Sequence, residues 1–298
     1  MHVKALLYFQ VLARTGSLRR AAQKLDITPT ALTRQIENLE HFFGAPLIER
    51  EQQGVRLTAA GEVVAERAGL VARELDSLRA RVDDLKGLRS GTVTIRASGS
   101  PVSSVLAPAL AALHQEFPGL RFNVETAGGP SIGAALTSGE VDLGLTLFAP
   151  SLSELTICSR LHVVHSAIMA PSHPLAGRRE LFLEDVRAHA LSIPDCSYFV
   201  RRAFDRVIPP NEAGFDPIFM TGSFELQLDL AMRGSAVLFL PEICCRTPIE
   251  RNLLRAVPLA GPLQVPTALD LLRATNRPLS FAARMVANRI GRIMTTFA

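Results

Sequence analysis

The chain has 298 residues, a length that accommodates two or three domains. Its 32 Lys plus Arg against 28 Asp plus Glu give a net charge of +4, which fits a protein with local basic sites and excludes a nonspecific polycation. No apolar run approaches the ~20 residues that cross a bilayer, and no signal peptide is recognisable, so we expect a soluble, cytoplasmic chain without a membrane partner.

Two helices separated by a tight turn are predicted near the N-terminus. Gly16-Ser17 can end one helix and cap the next, which we expect over Leu18–Leu25. A turn at Asp26-Ile27 follows. The second helix should begin at Thr28-Pro29, because Thr is a good cap and Pro suits the first helical position, where no N–H is needed.

A hairpin is predicted behind these helices, from Gly44–Arg50, a polar turn at Gln52-Gln53-Gly54, and Val55–Thr58. Two helices and a hairpin in this order are typical of a winged helix-turn-helix, whose second helix enters the major groove of DNA. An amphipathic helix pair in an ordinary domain is the alternative. The candidate DNA-binding residues are Thr28, Pro29, Thr30, Thr33 and Arg34 at the major groove, with Arg50 and Arg56 on the DNA backbone.

A long helix should follow, since the chain has no Pro from Ala59 to about Arg89. Apolar residues recur there in steps of four and three, the spacing by which two helices pair, so residues 59–89 are predicted to be a linker and dimerisation helix. One amphipathic helix packed on its own domain is the alternative. The predicted dimerisation seam consists of Val64, Ala68, Val71, Leu75, Leu78, Val82 and Leu85.

Residues 5–58 resemble the N-terminal domain of LysR-type transcriptional regulators, most densely at Gly16–Ala22, Ala31–Glu40 and Leu57–Gly61. The resemblance implies a DNA-binding regulator with a DNA-binding domain at 1–58, a linker helix and an effector domain at 90–298. It also implies a homodimer that assembles into a homotetramer. The chain departs from many members in having Pro29 and Thr30 where they have Gln and Pro, and in a less basic wing.

Past Gly91, predicted strands and helices alternate, which favours an α/β class with mostly parallel sheets. We expect two α/β lobes that the chain crosses twice, as in periplasmic solute-binding proteins. The first lobe would comprise about 91–161 and 266–298, and the second about 162–265. The predicted strands are 92–96, 120–125, 141–147, 166–170, 191–194, 217–220, 236–240 and 266–274, with helices over 103–117, up to 138, and after Pro278.

Four loops that precede helices are the candidate effector site, because ligands of α/β folds bind beyond the carboxyl ends of strands. Their hydroxyls and backbone N–H groups suit a small-molecule effector such as a carboxylate. Ordinary helix capping is the alternative for any one loop. The candidate effector-binding residues are Ser98, Ser100, Gly128, Gly129, Cys196, Ser197, Tyr198, Thr221 and Ser223.

The remaining motifs bear on other functions. Cys196 near a helix start leaves a thiol-based redox sensor as an alternative. Residues three apart on one strand face opposite sides, so His162 and His165 should not share a metal ion, and no metal or cofactor is expected. No common catalytic motif is present, so we expect no catalytic residue and no enzyme. A solute-binding module without regulatory DNA binding is the alternative from a different class.

Overall fold

The computed structural model describes residues 2–51, 54–85, 91–195, 198–207 and 217–297. Contacts divide the chain into two units, Met1–Leu85 and Lys86–Ala298, and each is described by itself. Within the described ranges, no helix combines the length and apolarity that a bilayer span requires.

The first unit contains helices and one hairpin. Its elements are α1 (His2–Thr15), α2 (Leu18–Lys24), α3 (Pro29–Phe43), β1 (Ile48–Glu51), β2 (Gly54–Leu57) and α4 (Ala59–Leu85). The strands β1 and β2 pair antiparallel. The prediction of two helices across a turn with a hairpin behind them is therefore confirmed.

Local side-chain chemistry sets where α2 and α3 begin. Ser17 Oγ accepts a hydrogen bond from the Arg20 N–H at 3.4 Å, and Thr28 Oγ1 accepts one from the Ala31 N–H at 3.2 Å. Both hydroxyls satisfy N–H groups that a helix leaves without a partner at its start. Gly44 ends α3 with a φ of 64°, a left-handed conformation that costs glycine little.

One face of α3 belongs to the core of this unit. Leu32, Ile36 and Leu39 are buried with residues of α1 and α2. Two other apolar residues of this helix, Ala31 and Phe43, are exposed. Ala31 lies about 100° around the helix from Leu32, and Phe43 is the last residue of α3, beyond the buried part.

The hairpin is fastened to the helices on both sides. Glu40 Oε1 accepts hydrogen bonds from the backbone N–H groups of Leu47 at 2.7 Å and Ile48 at 3.2 Å. On the other side, the Thr58 N–H donates to Leu47 O at 3.1 Å, and Thr58 Oγ1 donates to Pro46 O at 2.6 Å. Gly61 of α4 packs so closely on Leu47 that a Cβ there would lie 2.0 Å from Leu47 O.

The second unit is built from two sheets. The first third of the chain in this unit forms β3 (Gly91–Ala97), α5 (Ala107–Glu116), β4 (Leu120–Thr126), α6 (Gly129–Thr137), β5 (Leu143–Leu147) and β6 (Leu155–Val163). The next part forms β7 (His165–Met169), α7 (Leu183–Val186), β8 (Leu191–Ile193), α8 (Phe199–Val207), β9 (Phe219–Met220), α9 (Phe224–Met232), β10 (Val237–Pro241), α10 (Arg246–Glu250) and β11 (Arg255–Pro258). The chain then returns through β12 (Thr267–Ala274) and α11 (Phe281–Thr295).

The two sheets have the same topology. Their strand orders are β4-β3-β5-β12-β6 in the first lobe and β9-β8-β10-β7-β11 in the second. In each sheet the first three strands are parallel, and the fourth runs against both of its neighbours. That reversed strand is the one through which the chain enters from the other lobe. The expectation of two α/β lobes crossed twice is confirmed.

Most predicted strands lie within a few residues of those observed, and two expectations are corrected. The predicted helix 103–117 begins as a π-helical turn over Val102–Leu106 before α5. His162 and His165 were expected to lie on one strand. They instead lie on β6 and β7, which belong to different sheets.

Candidate functional site

The N-terminal part of α3 presents a polar surface. Thr28, Pro29, Thr30 and Arg34 are exposed, and Thr33 is half-buried. The oxygen of Thr28 accepts the capping hydrogen bond, so its hydroxyl hydrogen stays available to an acceptor. The arrangement can offer hydroxyl donors and one guanidinium to the edges of bases, while the buried face fixes the orientation of the helix.

The two hairpin arginines lie on different faces of the wing, which is the hairpin β1–β2. Arg50 is exposed and lies opposite Val55, whereas Arg56 lies opposite Glu49. Arg56 Nη2 is 2.7 Å from Glu49 Oε2, and Arg56 Nε is 3.2 Å from Glu51 Oε1. The hydrogen bond and charge of Glu49, with the charge of Glu51, raise the pKa of Arg56. Arg56 was therefore predicted to bind a DNA phosphate, whereas its guanidinium is ion-paired with two carboxylates of the wing.

The predicted dimerisation seam divides into two parts in a single chain. Val64 packs against the core of its own domain, and Ala68 is only 1% exposed. Further along, Val71, Leu78 and Val82 are 40%, 47% and 49% exposed. Leu75 is half-buried, and the surroundings of the Leu85 side chain lie outside what the structure describes. The seam that remains available to a partner therefore begins at Val71.

A cleft that opens to solvent lies between the two lobes of the second unit. Five predicted effector residues line it: Ser98, Ser100, Gly129, Tyr198 and Thr221. Gly128 and Ser223 do not line the cleft. Gly128 is the N-cap of α6, and Ser223 caps α9 by accepting a hydrogen bond from the Leu226 N–H. Cys196 and Ser197 fall outside the described residues, and the redox alternative gains no support.

The first lobe contributes small polar groups to the cleft. Ser98 is 7% exposed, and its Oγ has no hydrogen-bond partner within the described residues. An unsatisfied buried hydroxyl costs free energy, which a ligand acceptor or donor would recover. Thr146 Oγ1 donates to Leu147 O at 2.9 Å, and this bond leaves the lone pairs of the hydroxyl oxygen available to accept a hydrogen bond. No side chain caps α6, whose first residue is Gly129.

The second lobe contributes aromatic and apolar surface. The ring of Phe199 lies against Gly129, and a Cβ at that glycine would be 2.6 Å from Phe199 Cδ2. Tyr198 donates its hydroxyl to Gly222 O at 2.9 Å. Burial raises the pKa of Tyr198, and the nearby carboxylates of Asp195 and Glu225 raise it further. The phenol is therefore a neutral donor at physiological pH.

The lining contains no Lys, Arg or His among the described residues, so a bound anion would be held by neutral donors. Behind Ser100, burial raises the pKa of the Cys244 thiol to about 12, although a hydrogen bond from Ser100 opposes the shift. Cys244 therefore remains a thiol. No group of three or more His, Cys, Asp or Glu in the described parts of the chain is arranged to hold a metal ion.

Sequence reasoning missed several lining residues, notably Thr146, Phe199 and Gln227. Thr146 had a signal, since it is the polar residue in the otherwise apolar strand Leu143–Leu147. Phe199 is the first residue of α8 and Gln227 lies within α9, and nothing local distinguishes a helical residue that faces a cleft from one that faces a core.

Comparisons with known proteins agree with this architecture. Residues 3–62 match the family model described as bacterial regulatory helix-turn-helix protein, lysR family, and residues 86–293 match the LysR substrate binding domain. The chain is 26% identical to a probable RuBisCO transcriptional regulator of Cyanidioschyzon merolae, over 92% of each protein. It is 28% identical to the probable regulator LrrA of Synechococcus elongatus, over 92% of this chain and 97% of that one.

Among solved structures, the fold is similar to that of CbnR, a LysR family transcriptional regulator. The TM-score is 0.68 at 20% identity, over 99% of each chain. Together the two matched family models cover most of the chain, from the N-terminal helices to the last helix of the effector lobes. The chain belongs to the LysR family of DNA-binding transcriptional regulators with an effector-binding domain.

Proposed function

We propose that α3 is the recognition helix and that it reads operator DNA in the major groove through Thr28, Thr30, Thr33 and Arg34. The single observation that carries this proposal is the polar, exposed N-terminal part of α3 above a buried apolar face. Pro29, at the first helical position, contributes van der Waals surface rather than a hydrogen bond. Arg50 reaches the DNA backbone from the wing, and Arg56 does so when it leaves its carboxylates.

Binding to the DNA in front of its own coding sequence tests this proposal. Arg34→Ala should weaken specific binding by about 1–3 kcal/mol if the guanidinium contacts a base with two hydrogen bonds. Arg233→Ala, an exposed arginine in the second unit, is the matched control and should bind as tightly as the unaltered protein. An unchanged affinity for Arg34→Ala would remove that residue from base reading.

We further propose that the exposed seam of Val71, Leu78 and Val82 pairs two subunits, which then assemble into a tetramer. The exposure of these three apolar residues on one helix supports the proposal. Such a pair would hold two recognition helices at a fixed spacing, as paired DNA half-sites require. Replacing Leu78 and Val82 with Asp should dissociate the pair in sedimentation, and a persistent dimer would contradict the assignment.

The effector is proposed to be a small carboxylate with an apolar body, bound in the cleft between the lobes. The unsatisfied hydroxyl of Ser98 and the uncapped start of α6 suit the carboxylate, and the rings of Tyr198 and Phe199 suit the apolar part. Because the cleft joins two lobes, a ligand that prefers one lobe arrangement shifts the equilibrium between them. That shift would change how the subunits meet on DNA in the cytoplasm.

A thermal-shift screen of small carboxylates identifies ligands of the cleft. Ser98→Ala should weaken the binding of a ligand found in this way by about 1.5–3 kcal/mol, because the hydrogen bond from Ser98 to the charged carboxylate is lost. Ser138→Ala, at the opposite end of α6, is the control. A ligand whose affinity ignores Ser98, or whose binding changes neither the DNA affinity nor the footprint, would refute the effector role of this cleft.

A further inference from the structure

The two faces of the wing have different composition. In the β1–β2 register, Ile48 lies opposite Leu57, and both are packed against the core of the first unit. Side chains alternate between the faces of a strand, so Glu49, Glu51 and Arg56 share the opposite, outward face. All three are exposed.

On this outward face one guanidinium serves two carboxylates. Arg56 contacts Glu49 Oε2 at 2.7 Å through Nη2 and Glu51 Oε1 at 3.2 Å through Nε. Glu49 is its direct cross-strand neighbour and Glu51 is its diagonal neighbour, so the strand register itself brings the three together. Two negative charges and one positive charge leave the group with a net charge of −1.

We propose that Glu49 and Glu51 lower the affinity of the protein for DNA by holding Arg56 away from phosphate. This inference rests on the proposed DNA-binding function. It assigns to the outward face of the wing a restraining role, whereas Arg50 lies on the other face and is not part of the group.

The physical reason is that phosphate and carboxylate compete for the same guanidinium N–H groups. A cation strengthens DNA binding because it releases counterions condensed on the duplex, with a salt slope of roughly 0.9 per neutralised phosphate. A guanidinium with two attached carboxylates brings no net positive charge to the duplex and so releases no counterion. To contact phosphate, Arg56 must leave both carboxylates or bring them next to the phosphate.

The first experiment replaces both carboxylates, as Glu49→Gln with Glu51→Gln, in the full-length protein. The probes are a duplex from in front of its own coding sequence and a mixed-sequence duplex, because phosphate contacts are independent of sequence. For each wing that contacts the DNA, counterion release alone should raise the affinity of the protein for either duplex roughly eightfold at 0.1 M salt and roughly threefold at 0.3 M salt. The salt slope should steepen by about 0.9 per wing.

Two comparisons separate a freed Arg56 from simple relief of charge repulsion. Adding Arg56→Gln to the double variant should abolish the gain in DNA affinity. Because the double and the triple variant both lack the two carboxylates, this difference cannot come from relief of charge repulsion. Glu66→Gln removes one carboxylate from α4 outside the ion-pair group, and it should leave the affinity unchanged. Ethylation of single phosphates on the upstream duplex should reveal a phosphate that matters to the double variant and not to the unaltered protein.

The outcomes decide the question. An unchanged affinity in the double variant, a gain that survives Arg56→Gln, or the absence of any phosphate that only the double variant requires would each overturn the restraining role. Failure of every variant, and of the unaltered protein, to bind either duplex would instead refute the proposed DNA-binding function.

Discussion

The contact of Gly61 with Leu47 makes a sharp prediction about the first unit. Gly61 lies in α4, where Ala is normally more favourable than Gly by about 1 kcal/mol. Here, however, a Cβ would lie 2.0 Å from Leu47 O, and real Cβ atoms essentially never come closer than 3.0 Å to such an atom. Because the obstacle is backbone, Gly61→Ala must move α4 away from Leu47 by about 1 Å, the difference between these two distances.

That displacement breaks the hydrogen bonds that connect the start of α4 to the hairpin. The Thr58 N–H to Leu47 O distance of 3.1 Å and the Thr58 Oγ1 to Pro46 O distance of 2.6 Å would each lengthen beyond hydrogen-bonding range. Two lost hydrogen bonds cost about 2 kcal/mol and overpacking about 1–3 kcal/mol, against about 1 kcal/mol of helix propensity. The expected net loss is about 2–4 kcal/mol, a large share of the ~4–13 kcal/mol typical for a unit of this size.

Hydrogen exchange followed peptide by peptide measures this loss in the full-length protein. Peptides of the first unit should lose protection by roughly thirtyfold to several hundredfold, since every 1.4 kcal/mol is a factor of ten, while peptides of the second unit keep theirs. Gly177→Ala is the control, because a Cβ there meets nothing within 4 Å. Unchanged protection in Gly61→Ala would refute the reasoning.

Three further predictions concern the second unit. Burial lowers the pKa of His165 to about 4, so the unfolded chain binds the proton more tightly than the folded chain does. Stability should therefore be complete at about pH 7.5 and should be lower by about 1.4 kcal/mol at pH 5.5. Urea unfolding of His165→Leu should not show this difference. Asp270, with a side chain 2% exposed, receives two hydrogen bonds from Arg160 at 2.6 and 2.9 Å. Urea unfolding should show that Arg160→Ala destabilises the protein by about 3 kcal/mol, the low end for a buried pair because Arg160 is 43% exposed. Replacing both residues by Leu should recover most of this loss, and an equal loss in the double variant would contradict the account. Gly129→Ala should weaken ligand binding in the cleft by displacing the Phe199 ring, and adding Phe199→Leu should relieve the overlap, as titration with a ligand from the carboxylate screen would show.

The starts of α2 and α3 and the buried strands of the lobes were predictable from the sequence because their causes are local, whereas the largely unburied strands β6 and β11 were missed. Ser17 and Thr28 cap the helices that follow them through bonds to residues three positions on. The buried strands of the lobes are short apolar runs bounded by turn residues, such as Val237–Pro241. These features depend on a few neighbours in the chain, so one sequence contains the necessary information.

The rest depends on contacts between distant segments. Periodicity marked Ala68 and Leu78 as one seam, yet it could not distinguish a face packed on its own domain from a face left exposed, because both are apolar. Phe199 and Gly129 come together across two lobes, and no local pattern signals that meeting. The ion pairs of Arg56 follow from the hairpin register, which the predicted turn alone left open.

The ring of Phe199 against Gly129 also bears on discrimination among the many anions of a cell. We expect a small inorganic ion such as phosphate to bind there weakly, because it can contact the hydroxyls of the cleft but offers nothing apolar to the aromatic ring beside them. A carboxylate with a hydrophobic body can in addition pack against the ring and bury apolar surface. The expected result is a cleft that discriminates against inorganic anions although its described lining contains no charged side chain.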